Sequence, residues 1–265
     1  MFSANKKNYI EFFFRNKFLP LYCFYVVLII LYSLWTLLLE KSVSPQLVVQ
    51  SFFFGGTVIT NGWYLQATFV VYLLYLFCFK KLKSSKMRIL SMGIAILAYC
   101  TLCYLFDLGI YWYQTIPCIV LGMVYCSKKE WIDRLLTRYV RIVFITSSLL
   151  FAVCFLLSAL SGIAVIFNVL YSLFFVCAMI TLSYILGNTS IINNRFLALC
   201  GDYSLEIYVA HGFFLRLIRL GYIENLLIYV FVVIIGTIIT AVIMKMIYSK
   251  IVLLFSQPNN TNYVR

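Results

Sequence analysis

Residues 142–186 read IVFITSSLLFAVCFLLSALSGIAVIFNVLYSLFFVCAMITLSYIL, without one Asp, Glu, Lys or Arg. The stretch divides at Ser161-Gly162 into two runs, Ile142 to Leu160 and Ile163 to Leu186. A hydrocarbon core about 30 Å thick is crossed by about 20 apolar residues of helix, since lipid offers no partner to backbone N–H and C=O groups. Two membrane-spanning helices joined by a tight turn are therefore predicted. The pattern continues in both directions. Hydrophobic residues make up 64% of the 265, so membrane rather than water is the solvent to which most of this chain is matched.

Working outward, further spans are predicted at about 18–39, 63–79, 89–106 and 110–126, and at about 203–220 and 226–247. The fold class expected is all-α, a polytopic membrane helix bundle of about eight transmembrane helices. It should form a single transmembrane helical domain over 1–256, followed by a polar tail over 257–265. Pro20 should lie in the first turn of the first span, where a missing N–H is harmless. In the connection from Glu40 to Gly62, Gly55-Gly56 and Asn61-Gly62 are turn signals, and Phe52 to Phe54 reads as a short interfacial segment. Pro117 should kink the span at 110–126. Trp131 to Tyr139 alternates apolar and charged residues at helical spacing, which predicts an amphipathic interfacial helix.

The net charge of +13 does not point to nucleic acid. Lys and Arg gather in the breaks between apolar runs, as cytoplasmic loops of membrane proteins require. With the N-terminus in the cytoplasm, 18 of the 21 basic residues fall inside, and only Lys41, Arg216 and Arg219 outside. Both termini are thus expected in the cytoplasm, with the lipid bilayer as the principal partner and anionic headgroups as counter-charge. The nine cysteines lie mostly within apolar runs, as small hydrophobes do, and are odd in number. With a single histidine, His211, a His-rich metal site is excluded, and no metal is expected. No nucleotide-binding loop, dinucleotide fingerprint or HExxH motif is present.

His211 lies well inside the predicted seventh span. Ser204 and His211 are seven residues apart, so they point within about 20° of each other with Tyr208 between them. Asp202 and Glu206 share a different face. An ionisable group at this depth faces a bundle interior or a wet cavity, and imidazole donates, accepts or carries a proton near neutrality. One reading is a polar pocket of Ser204, Tyr208 and His211 facing the interior, with Leu205 and Val209 packing elsewhere. The other is a neutral histidine that ties two helices together. Arg216 and Arg219, beyond His211, either snorkel to headgroups or bind an anionic group on a substrate. Gln114, Trp112 and Asp107 form a second polar spot with Trp63 at the same face, suited to carbohydrate or simply to interface anchoring.

The run Gly201-Asp202-Tyr203-Ser204-Leu205-Glu206-Ile207-Tyr208-Val209-Ala210-His211 resembles the late signature of the membrane acyltransferase-3 family. Asn61-Gly62-Trp63-Tyr64-Leu65 resembles the family's Trp-Phe-Leu start of a middle helix. Ile119-Val120-Leu121-Gly122-Met123 resembles its aliphatic-Leu-Gly-Met helix end. Arg15-Asn16-Lys17-Phe18-Leu19-Pro20-Leu21-Tyr22 resembles the basic, Pro-Leu-Tyr start of its third helix, with Lys17 in place of the nearer Arg of a double-Arg motif. The four pieces occur in the family's order.

The resemblance implies an integral membrane O-acyltransferase of a bacterial plasma membrane. Such a protein moves an acyl group, typically acetyl, from cytoplasmic acyl-CoA to a hydroxyl of a surface glycan or lipid-linked sugar. Ser204, Tyr208 and His211 would then be catalytic. Arg15, Lys17, Trp63, Gln114, Arg216 and Arg219 would bind substrate. The family's essential His and Arg lie in its first helix and have no equivalent here. The resemblance therefore implies a chain that lacks the first two helices, has little activity alone and needs a separate N-terminal helix pair. A transporter or polymerase of lipid-linked polysaccharide is the alternative, since that class also combines aromatic-rich spans with outward Arg residues.

Overall fold

The computed structural model describes residues 9–53, 55–82, 84–160, 164–187, 189 and 194–255. Every regular element among them is helical. Among the described residues six helices are long and apolar enough to cross a membrane: Tyr9–Glu40 (α1), the helix beginning at Trp63, Ser85–Leu105, Lys129–Leu160, the helix ending at Leu186, and Leu226–Phe255. In chain order the remaining labels are α2 (Pro45–Ser51), α3 (Trp63–Lys81), α4 (Ser85–Leu105), α5 (Cys118–Ser127), α6 (Lys129–Leu160), α7 (Ala164–Leu186), α8 (Arg195–Asp202), α9 (Ser204–Arg219) and α10 (Leu226–Phe255). The chain is an all-α, multi-pass membrane protein. The tail 257–265, the Ser161-Gly162 turn, Phe54, Lys83, Lys6 and Lys7 lie outside the described residues.

Two of the eight expected spans differ from the sequence reading. Residues 110–126 do not form one helix. A 3₁₀ turn at Ile110–Trp112 precedes the ten-residue α5, which begins after Pro117. Ten residues rise only about 15 Å. The irregular backbone before α5 is tolerated because Trp112, Tyr113 and Ile116 are buried in protein, where polar groups find partners. Tyr99 Oη, for instance, donates to Trp112 O at 3.0 Å. The second is α9, whose 16 residues rise about 24 Å, short of a full hydrocarbon core.

Pro20 lies in the first turn of the regular α-helix Leu19–Glu40, as expected, but that helix continues from an earlier stretch that was not expected. Together they form α1, which begins at Tyr9. A π turn over Phe14–Phe18 widens the helix just before it, and Leu19 N bonds back to Phe14 O. A proline ring clashes with the carbonyl four residues earlier and offers it no N–H; inserting one residue in the turn relieves both. The amphipathic segment and the fifth span fuse into α6, with a break at Tyr139 (φ −124°, ψ 18°) between them.

Contacts gather into two compact units, residues 73–197 and residues 9–72 with 198–255. In the first, α6 pairs with α7, and Tyr125 and Tyr184 both donate to Asp133 Oδ1. In the second, the first helix packs with the last two. Phe24, Tyr25, Leu28, Ile29 and Tyr32 of α1 meet Val209, Ala210 and Phe213 of α9 and Ala241 and Met244 of α10 in one core. The connection after α1 is folded against this core. Ser44 caps α2 by accepting from Leu47 N at 3.4 Å. Ser51 Oγ accepts from Val58 N at 2.8 Å.

Candidate functional site

The amide of Gln66, on α3, closes that connection. Its Nε2 lies 3.2 Å from Ser51 O, 2.8 Å from Phe53 O and 3.0 Å from Gly56 O. Two N–H groups thus serve three carbonyls. The loop so held turns at Asn61, whose φ of 61° is left-handed, a conformation Asn tolerates. It presents Thr60 and Asn61 to α9.

The α9 helix is fixed by donors to its backbone. Tyr32 Oη donates to Val209 O at 2.7 Å, and Trp35 Nε1 to Phe213 O at 3.1 Å. Gly212 makes this approach possible, because a Cβ there would collide with Tyr32 Oη and press on Thr60. Gly212→Ala should therefore cost about 1–3 kcal/mol by overpacking. The check is thermal unfolding of the purified protein in detergent, compared with Gly93→Ala, whose Cβ has only Val120 Cγ1 at 3.9 Å.

Tyr208 and His211 come together as the helical spacing predicts. Their ring centroids are 5.6 Å apart, edge to face, and Tyr64 lies 5.2 Å from Tyr208 on the other side. Tyr208 Oη donates to Asn61 O at 3.0 Å. His211 is half-buried, with Nδ1 3.4 Å from Ile207 O. When Nδ1 carries the proton, it points along its own helix and Nε2 is left as an acceptor.

Ser204 does not join them; it is exposed at the first turn of α9. The buried stripe of α9 is Glu206, Val209, Ala210 and Phe213, spaced as one helical face. Val209 belongs to the core, not to a face packed elsewhere, and Tyr208 and His211 occupy the flank. The sequence reading set the helix rotation from its polar residues. The structure sets it from the close approach of α1 at Gly212.

The expected binding residues are dispersed. Arg216 Nε lies 2.6 Å from Glu40 Oε1, so its charge already has a partner that sequence reasoning missed. The pair joins the ends of α9 and α1. Arg219 is exposed. Arg15 and Lys17 occupy the π turn, and Arg15 Nε donates to Phe255 O at 3.2 Å. Trp63 opens α3 beside Tyr64, with ring centroids 6.0 Å apart. Gln114 belongs to the unit of residues 73–197, where it donates to Tyr171 Oη at 2.6 Å and Ser172 Oγ at 3.1 Å. Trp112 beside it is buried and offers no open sugar-stacking face. Gln66 had no sequence signal, because its partners are backbone carbonyls.

A family model described as an acyltransferase domain, the acyltransferase-3 family, matches residues 2–246. The chain belongs to this family. Neither the curated proteins nor the solved structures returned a significant match. The matched residues contain the whole of α9 and the loop that holds it, so the Tyr64, Tyr208 and His211 row is part of the acyltransferase-3 region of the chain.

Proposed function

We propose that this acyltransferase-3 protein transfers an acyl group, acetyl by preference, from cytoplasmic acyl-CoA to a hydroxyl of a surface glycan or lipid-linked sugar in a bacterial plasma membrane. The observation that carries this reading is the placement of the single imidazole on the flank of α9, half-buried and beside Tyr208; in the tautomer with the proton on Nδ1, Nε2 is an acceptor. In the reaction the acceptor hydroxyl attacks the thioester carbonyl. Its O–H proton passes to His211 Nε2, the new C–O bond forms, the C–S bond breaks, and the CoA thiolate takes a proton as it leaves. A base in hydrogen-bond reach of the hydroxyl contributes about 10²- to 10⁴-fold. Tyr208 holds the imidazole edge-on, and its own bond to Asn61 O fixes it to the Gln66-held loop. Arg219 provides a cation for an anionic acceptor, while Arg216 is held by Glu40.

The test is membranes containing the protein, incubated with acetyl-CoA labelled in the acetyl group. Label should appear in the glycan fraction as an alkali-labile ester. Label that never leaves CoA in the presence of acceptor would overturn the proposal. The orientation proposed for this chemistry keeps eight crossings, with 110–126 and α9 traversing as shorter or irregular segments inside the bundle. It places the 80–88 loop and the C-terminus in the cytoplasm, from the 18-to-3 distribution of Lys and Arg that eight crossings give. Reporter fusions at both positions should show cytoplasmic activity; periplasmic activity at either would reverse the assignment.

A further inference from the structure

Lys245 on α10 reaches the break between α8 and α9. Its Nζ donates to Asp202 O at 2.6 Å, lies 3.4 Å from Glu206 Oε1 and sits 5.4 Å from the Tyr203 ring centroid. Asp202 ends α8, Tyr203 is the joint (φ −104°, ψ 7°), and Glu206 lies in the first turn of α9. One ammonium group therefore engages the end of one helix, the joint, and the start of the next.

Glu206 is 1% exposed, and neither of its carboxylate oxygens accepts a hydrogen bond among the described residues. Lys245 is its ion-pair partner. A buried charge without a partner is strongly unfavourable. Rotating α9 about its axis, or lifting its first turn, would take the buried carboxylate away from Lys245 and leave it without that partner.

We propose that Lys245 is a positioning residue: it fixes the rotation of α9, and so the direction in which Tyr208 and His211 point. The proposal rests on the reading of His211 as the base. The pair is asymmetric, because the side chain of Lys245 is 37% exposed and that of Glu206 only 1%. Removing the lysine strands a buried carboxylate. Removing the carboxylate leaves an ammonium group that keeps its bond to Asp202 O and its access to the surroundings.

The experiment compares K245M, K245R, E206Q and the double variant E206Q/K245M in the full chain. It has two readouts. The first is kcat and KM for acetyl-CoA. The second does not need activity: the rate of maleimide labelling at Cys introduced by Val209→Cys, read by mass spectrometry at that site. Val209 is 1% exposed, so this thiol should be protected in the parent. K245M should lower kcat by about tenfold or more with KM little changed, as loss of an orientation made only in the transition state requires, and should expose the position-209 thiol.

K245R should retain most of kcat and the protection. E206Q should fall by no more than about threefold, and E206Q/K245M should resemble E206Q, because no buried charge remains. If K245M fails to accumulate, recovery of the protein in the double variant supports the same conclusion. Equal effects of K245M and E206Q, or no recovery in the double variant, would overturn the proposal. If the parent shows no acyl transfer, the function above fails, and the labelling pattern still decides the role of Lys245.

Discussion

Gln66→Leu is expected to be the most destabilising single substitution outside the apolar core. The side chain is 4% exposed, and leucine has nearly its volume but no donor. Ser51 O keeps its bond from Tyr25 Oη at 2.6 Å. Phe53 O and Gly56 O lose the bond from Gln66. Two acceptors losing this donor cost about 2–4 kcal/mol together. For a chain of this size that corresponds to a fall of roughly 10 °C in the unfolding midpoint. The same loop carries Asn61 and Thr60 to α9, so the row of Tyr64, Tyr208 and His211 should loosen with it. Gln66→Glu keeps the shape but has no donor when ionised and a single O–H when protonated, so it should destabilise in the same direction. Midpoints of both variants in detergent check the argument, and a change under about 2 °C would refute the clamp.

His211→Ala is expected to have the opposite profile, a large loss of rate with little loss of stability. The imidazole is half-buried, and its bond to Ile207 O is long at 3.4 Å. Its removal should change stability by less than about 1 kcal/mol. The rate of acyl transfer should fall by about 10²- to 10⁴-fold, the contribution of a positioned base. Tyr208→Phe removes only the bond to Asn61 O and should cost about 1 kcal/mol of stability with a smaller effect on rate. A His211→Ala protein that keeps its rate but unfolds earlier would instead establish the histidine as a helix-tying residue.

Particular residues show how far the sequence could be read. The apolar runs at 142–160 and 163–186 are legible because bilayer thickness fixes their length and no charge interrupts them. The change of character near Tyr139 is legible too, since the amphipathic pattern ends there and the uninterrupted apolar run begins at Ile142; the backbone break itself is seen only in the structure. The pairing of Tyr208 with His211 follows from a three-residue spacing on a helix. The helix expected over 110–126 is a 3₁₀ turn followed by the short α5, because composition cannot tell a continuous helix from an irregular segment buried by neighbouring helices. The partner of Arg216 is not legible, because Glu40 lies far away in the chain.

What the sequence by itself determined is the solvent, the helical class and the local order of polar groups along α9. These depend on the length and period of residues within one segment. Tertiary structure alone decided which face of α9 is buried. Hydropathy would turn Glu206 outward, yet it lies in the core stripe with Val209 and Phe213, because Lys245 of α10 neutralises it and Gly212 lets Tyr32 and Thr60 approach. The physical reason is that a helix chooses its rotation by the sum of contacts on all sides, and those contacts come from α1, the loop after it and α10, elements distant in sequence that meet only when the chain has folded.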